Sequence, residues 1–349
     1  MPTPATGVTP SVTVTHVPLS ILDLSPTSTG RSRRDALEDT TLLAQAADRL
    51  GYTRYWVAEH HGSDTFMASA TALILGHLAS RTDRIRLGSG GVMLPNHAPL
   101  MVAEYYGTLA TLYGDRFDLG LGRAPGTDPM TAAALRRHTG ELDGFAQDVT
   151  ELHHYLAAPD PARPSRVRAV PGEGTAVPLW MLGSSLGGAA VAAHLGLPFV
   201  FASHFAPDAL TAALQHYREH FNPAAPTAQI TAPYVVAGVN ALVAPTSEEA
   251  AFLATTGQRL VAQIATGRPG PLEPPQADLL DTLSPQERAV VGGHRSVRAI
   301  GSPQEAVAAL EEFVAAHQID EIITTTYTHD PRLRLRSYDL LAEAWGLTA

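Results

Sequence analysis

Eight short runs of apolar, β-rich residues recur along the chain, each followed by a longer segment with helical spacing. The runs are HVPLSILDL (16–24), RYWVAE (54–59), RIRLGSGG (84–91), RFDLGLG (116–122), PLWMLG (178–183), PFVFAS (198–203), YVVAGVNALV (234–243) and DEIITTTY (320–327). They read as continuous apolar stretches rather than clean alternations, the pattern of parallel strands covered on both faces. The segments between them carry helix punctuation. Asp35 and Glu38 make a capping-box pattern, Leu37, Ala44, Ala47 and Leu50 form an inner stripe, and Gly51 stops the helix. Pro99 stands at a first helical position with Gly114 closing the segment, and Ser302-Pro303-Gln304-Glu305 is a capping box with proline just inside.

Repeated β-then-α units make a parallel sheet, and eight of them favour a closed (β/α)8 TIM barrel. A doubly wound Rossmann-like sheet is the alternative, but no G-x-G-x-x-G follows the first strand. The nearest text, GLGRAPG, follows the fourth strand with its glycines at the wrong offsets. Two regions exceed the repeat: residues 124–177 after strand 4 and residues 244–301 after strand 7. Both leave strand ends on the face where barrels place their sites, so both are expected to wall or cover a pocket. Residues 1–15 read as a flexible lead-in and 16–349 as one domain.

Composition narrows the class. With 349 residues, 45% hydrophobic and 17% charged, the chain can bury a full core. A net charge of -10 with no Lys/Arg-rich run argues against a nucleic-acid partner. The absence of cysteine excludes disulfides, thiolate metal sites and a thiol nucleophile, and fits a reducing compartment. The opening residues lack a secretory pattern and no run reaches membrane-spanning length. A cytoplasmic protein with no membrane partner is expected.

Chemistry gathers at the strand ends. In RYWVAEHH, alternation puts Trp56, Ala58 and His60 on one face and Tyr55, Val57 and Glu59 on the other. A polar inward residue at the carboxyl end of a barrel strand reads as functional, with a structural histidine as the competing reading. A metal is not expected, because neighbouring strand positions point apart and neither H-x-x-x-H spacing nor thiolates are present. Gly90 and Gly91 close the third strand, where a bend competes with close approach of backbone to a flat ligand. Arg123, after the fourth strand, suits bidentate anion binding, with a structural salt bridge as its competitor. Gly183-Ser184-Ser185 leads the fifth strand into a helix whose free N–H groups offer a phosphate cradle, or ordinary capping.

The stretches YWVAEHH, RIRLGSGGVMLPNHAP, DRFDLGLGRAPGTDP and PLWMLGSSLGGAAVAAHLGLPFVFASHF resemble the bacterial luciferase-like flavin-dependent monooxygenases. They are closest to the subgroup of the enterobacterial luciferase-like monooxygenase homologue. The similarity runs from about residue 16 to the C-terminus and weakens across 244–300. It implies a luciferase-like TIM barrel binding FMN at the carboxyl ends of its strands, with His60 as the active-site histidine beside the reactive flavin edge. It implies a non-prolyl cis peptide at Gly90-Gly91 beneath the ring, a phosphate-binding Arg123, and a phosphate loop at Ser184, Ser185 and Gly187, with Arg136 or Arg137 added to the same phosphate. Two departures stand out: Gly183 replaces a glutamate entering the phosphate loop, and Gly122 replaces a reactive cysteine, so light emission is not implied.

The implied activity is that of a two-component monooxygenase. A separate NAD(P)H-dependent flavin reductase supplies reduced FMN, and oxygen is used through a flavin C4a-(hydro)peroxide to oxygenate a small organic substrate. The ordinary pKa of histidine, about 6.5, suits His60 to proton transfer near neutrality. His97 and His204 are expected on the substrate side, and a homodimer is expected. Alternatives on the same fold are an F420-dependent oxidoreductase and a non-catalytic flavin-binding protein.

Overall fold

The computed structural model describes residues 16–135, 144–162 and 165–348. The proposed lead-in at 1–15 and both Arg136 and Arg137 lie outside them. Nine strands are present: β1 (Leu19–Asp23), β2 (Arg54–Val57), β3 (Arg86–Met93), β4 (Phe117–Gly122), β5 (Leu179–Gly183), β6 (Phe199–Phe201), β7 (Val235–Val243), β8 (Arg298–Gly301) and β9 (Glu321–Thr325). β1 to β7 pair in chain order, β7 pairs β9, and β9 returns to β1, all parallel. That closes an eight-stranded TIM barrel, as the eight apolar runs require. Each run overlaps one of these eight strands, β3 continuing two residues past its run to Met93.

β8 is the strand that the sequence pattern does not announce. RAIG alternates exposed and buried positions, so it lacks the continuous apolar signature of the barrel strands. It pairs with the upper half of β7 alone, from Asn240 opposite Arg298 to Val243 opposite Gly301, while the lower half of β7 pairs β6 and β9. β7 therefore rises past the barrel mouth and carries β8 beside it.

Alternation divides the core into two layers. Leu22, Trp56, Ala58, Trp180, Val200, Val236 and Ile323 fill the barrel, while Leu19, Ile21, Tyr55 and Val57 face the helices. Trp56 and Trp180 meet edge to face at 5.5 Å. At the amino ends of the strands, Arg54 bridges the fully buried carboxylates of Asp118 (2.8 Å) and Glu321 (2.9 Å), and Arg86 adds a second cation on Asp118. Trp56 Nε1 also donates to Asp118, and the Tyr234 hydroxyl to Glu321. The bottom of the barrel is thus sealed by matched charge.

Two local expectations need correcting. The first helix spans Arg33–Leu50, with Ser32 as N-cap and Asp35 completing the capping box, so Glu38 does not pair with Asp35 in that role. Its buried side includes Ala36, Thr40, Leu43, Ala44 and Ala47, whereas Leu37 is 40% exposed. The buried row runs through Ala36, Thr40, Leu43 and Ala47, and Leu37 falls beside it, turned outward.

Among the described residues of the first insertion, the opening ones, Ala124, Pro125 and Gly126, line the mouth. The helix Phe145–Leu156 packs against Pro99–Tyr113, where the backbones of Gly107 and Gly172 meet so closely that a Cβ on Gly107 would fall 2.0 Å from the Gly172 Cα. The chain then descends to the amino end of the barrel, where residues 176–180 border a separate cavity of about 660 Å³ with Arg54 and Tyr234. The second insertion does wall the mouth, through the helices Ser247–Ala265 and Pro285–Gly293 and through β8. Among the described residues, no helix is long and apolar enough to cross a membrane.

Candidate active site

The carboxyl ends of the strands open into a cavity of about 850 Å³. Its floor is the top of the barrel core, with Leu22, Trp56, Leu182, Val200 and Ile323. His60, Gly90, Arg123, Ser184, Ser185 and His204 all line it, each from a different strand end except the two serines. The sequence reading of these positions as one constellation is matched by their convergence.

His60 extends the inward face of β2 beyond Trp56 and Ala58. Its backbone N–H is tied to Ala68 O at 2.7 Å and its ring lies 5.1 Å from that of Phe66. Its Nδ1 is buried without a hydrogen-bond partner in the structure, a state that protein interiors avoid unless a ligand or water completes it. Burial lowers the His60 pKa to about 4, against a smaller opposing pull from Glu59. The imidazole is therefore neutral at pH 7, not half-protonated as an unshifted histidine would be nearby.

β3 supplies the glycine platform. The Gly90-Gly91 peptide is cis, where the resemblance places it, and β3 shifts its register against β4 between Ser89 and Val92. Neither glycine can carry a side chain without displacement. A Cβ on Gly90 would lie 2.5 Å from Leu22 Cδ1, and one on Gly91 2.9 Å from Gly120 O. Gly90 reaches the cavity, whereas Gly91 is buried behind it.

The anion cradle lies between β4 and β5. Ser185 caps the helix Leu186–Leu195, its hydroxyl accepting from the Gly188 N–H. A Cβ on Gly187 would stand 3.7 Å from Arg123 Nη2, so the guanidinium sits beside the helix start. A guanidinium, two serine hydroxyls and the unsatisfied N–H groups of a helix N-terminus suit a phosphate. Gly188 is a member that sequence reasoning missed. It borders the cavity, and a Cβ there would come within 3.1 Å of the Gly183 Cα, so strand and helix backbones touch. The GG pair following SSL carried that signal.

The two accessory histidines part company. His204 lines the cavity beside Phe205, in space left by Gly238, where a Cβ would meet His204 Nδ1 at 2.2 Å. Burial lowers its pKa to about 4. The isolated glycine inside YVVAGVNALV was the available clue. His97 does not line the cavity. Its Nε2 lies 2.9 Å from Glu59 Oε1, as does Nε2 of His61, and Glu59 also accepts from the Met93 N–H. Burial alone would raise the Glu59 carboxyl, but the bonds from His97, His61 and Met93 hold it below its usual range.

Glu59 is the hub that the sequence reading did not find. The nitrogen and oxygen atoms of Glu59, His61 and His97 all lie within 4.8 Å of one another, a metal-compatible grouping. Strand alternation separates Glu59 from His60 but not from His61, and His97 arrives from beyond β3. Four groups reach the carboxylate, His61, His97, the Met93 N–H and, at 3.4 Å, Asn96 Nδ2, so the cluster is a hydrogen-bonded clasp. It joins the end of β2 to β3 and, through His61 N–H to Gly126 O and Thr127 Oγ1 to His61 O, to the loop bearing Arg123.

Comparison with known proteins agrees with this fold. A family model described as luciferase-like monooxygenase matches residues 17–318. A luciferase-like monooxygenase of Escherichia coli (strain K12) is 43% identical over 325 residues, covering 93% of this chain and 96% of the relative. The N-acetyl-S-alkylcysteine monooxygenase of Bacillus subtilis (strain 168) is 32% identical, covering 93% and 97%. The crystal structure of apo-MsnO8 superposes with a TM-score of 0.86 at 35% identity, covering 96% and 99%. The fold alone is shared with two more distant structures. One is the oxygenating constituent of a Pseudomonas putida 3,6-diketocamphane monooxygenase in complex with FMN, at TM-score 0.67, 16% identity and 94% and 97% coverage. The other is an F420-dependent secondary alcohol dehydrogenase with an F420-acetone adduct, at 0.66, 14%, and 94% and 99%.

Proposed function

Because this chain belongs to the luciferase-like monooxygenase family, we propose that it is an FMN-dependent monooxygenase of two-component type, oxygenating a small organic substrate with reduced FMN and O2. One observation carries the reading. Arg123, the start of the Leu186–Leu195 helix and the unpartnered His60 Nδ1 all face one cavity whose described lining contains no Asp or Glu. A dianionic phosphate joined to a planar ring fits that distribution of donors.

In this reading Arg123, Ser184, Ser185 and the N–H groups before Gly188 hold the phosphate, and the backbone at Gly90 underlies the ring. Bound reduced flavin supplies the oxygen-activating redox chemistry. The protein's own share is position and exclusion of water. Leu22, Trp56, Leu182, Val200 and Ile323 keep the floor apolar, which strengthens every polar contact above it. His60 presents a neutral imidazole, able to hold or relay a proton at Nδ1 without carrying a charge beforehand. Reduced FMN is taken, in this reading and as the family resemblance implies, from a separate NAD(P)H-dependent reductase.

Anaerobic titration with reduced FMN, followed by a pulse of oxygen, tests the proposal. The expected result is saturable binding and flavin reoxidation slower than that of free reduced FMN. Failure to bind FMN, with binding of F420 instead, would replace it with the deazaflavin reading. Reoxidation kinetics that His60→Ala leaves unchanged would favour flavin storage.

A further inference from the structure

The wall of the cavity opposite the phosphate cradle has a chemistry of its own. The helix Ser247–Ala265 turns Ala254, Val261 and Ile264 toward the cavity, and Pro285–Gly293 adds Val290 and Val291. None of the five is fully buried, and Ile264 is 52% exposed. Apolar surface left open in a concave site is surface that a ligand gains by covering.

A single full charge stands in that wall. On β8, Arg298 and Ile300 share the face toward the cavity while Ala299 is buried on the other. Arg298 lies opposite Asn240 of β7, another lining residue. Its guanidinium donates to the Ser296 hydroxyl at 2.6 Å and to His294 O at 3.1 Å, both neutral acceptors, and no carboxylate forms an ion pair with it among the described residues. The described cavity lining holds two arginines, Arg123 and Arg298, and no acid, in a chain whose net charge is -10. In an acidic protein, a cavity whose described lining carries full charges of positive sign alone favours anions.

We propose that Arg298 is a specificity-determining residue, receiving the anionic head group of a substrate whose apolar body lies against Ala254, Val261, Ile264 and Val290. The substrate class is a small amphiphile carrying a carboxylate or chemically equivalent anion. Arg123 and the helix start serve the cofactor phosphate, and Arg298 serves the second anion. The assignment of Arg298 to substrate rests on the flavin reading of the Arg123 end. β8 exists to place this side chain: it lies outside the barrel wall and pairs only with the part of β7 that rises above the mouth.

The test measures binding, by calorimetry, of octanoate, octanamide and octylamine to the full-length protein with and without FMN. The expected order is octanoate first by roughly ten-fold or more, since of the three head groups only the carboxylate forms a hydrogen-bonded charge pair with a guanidinium, octanamide being neutral and octylamine cationic. Arg298→Gln should abolish the preference, Arg298→Lys should restore part of it, and neither should change FMN affinity. Arg123→Ala should weaken FMN and leave the octanoate preference intact. The proposal is overturned if Arg298→Gln keeps the preference, if it weakens FMN instead, or if none of the three probes binds. If FMN fails to bind the wild type while the Arg298-dependent preference persists, the cofactor reading falls and the anion site stands.

Discussion

The two ends of the barrel handle charge in opposite ways. At the amino end, Asp118 and Glu321 are fully buried, and every charge has a partner: Arg54 reaches both and Arg86 reaches Asp118. At the carboxyl end, the described lining of an 850 Å³ cavity holds two arginines, no carboxylate, and a buried imidazole nitrogen without a partner. The same eight strands supply both ends. Completed networks at the bottom hold strands in register, while at the top the buried His60 Nδ1 is left for a ligand to complete.

The largest expected effect lies at the bottom. Asp118→Ala strips Arg54 and Arg86 of a shared partner and frees Trp56 Nε1. Breaking a buried ion network by removing one partner costs about 3–5 kcal/mol, to be read as a lower urea midpoint. Flavin affinity of the molecules that remain folded should not change. An unchanged midpoint with weakened flavin binding would dissolve the division of labour between the ends.

At the top the expected pattern is reversed. His60→Ala should lower turnover by roughly 10²–10⁴-fold, the range for a positioned proton-transfer group, while the urea midpoint moves little, because the side chain removed carries an unsatisfied nitrogen. A large loss of stability with full turnover would make His60 structural after all.

The mouth should also be the end that fails first on acidification. His60 and His204 are each lowered by burial from 6.5 to about 4. Well above pH 6.5 neither is protonated in the folded or the unfolded chain, and this contribution to stability is fully present. As pH falls from there toward 4, the unfolded chain takes up protons that the folded one refuses. The fold then loses up to roughly 2–3 kcal/mol per histidine near pH 4.5. Urea midpoints at pH 7 and 4.5 should converge for the His60→Ala, His204→Ala double variant relative to the wild type. An equal drop in both would assign the acid loss to carboxylates such as Glu59.

How far the sequence could reach follows from the same contrast. The barrel strands were legible because parallel strands buried on both faces must be apolar without interruption, and His60, Gly90, Arg123, Ser184 and Ser185 because function sits at predictable strand ends. β8 was not legible, since a four-residue strand with alternating exposure differs little from a loop. Leu37 was misplaced because the spacing admits two neighbouring stripes, and the buried one runs through Ala36, Thr40, Leu43 and Ala47. Glu59 escaped because its partners His61 and His97 come together only after β3 has turned. The matched ion network at the bottom left no trace either, for Arg54, Asp118 and Glu321 stand far apart in the chain.

The smallest expected effect sharpens the comparison, because it concerns a mouth residue that behaves as bottom residues do. His97 and His204 both follow strand ends and look equivalent in sequence, yet His204 faces the cavity and His97 faces Glu59. His97→Ala removes one of several donors to a buried carboxylate that keeps His61 and the Met93 N–H. About 1–2 kcal/mol of stability should be lost, with KM for any accepted substrate unchanged within about two-fold. His204→Ala should do the reverse, raising KM with little change in the urea midpoint at pH 7. If His97→Ala raises KM as His204→Ala does, the clasp around Glu59 belongs to the substrate site, and proximity to the mouth rather than completeness of bonding decides what a residue is for.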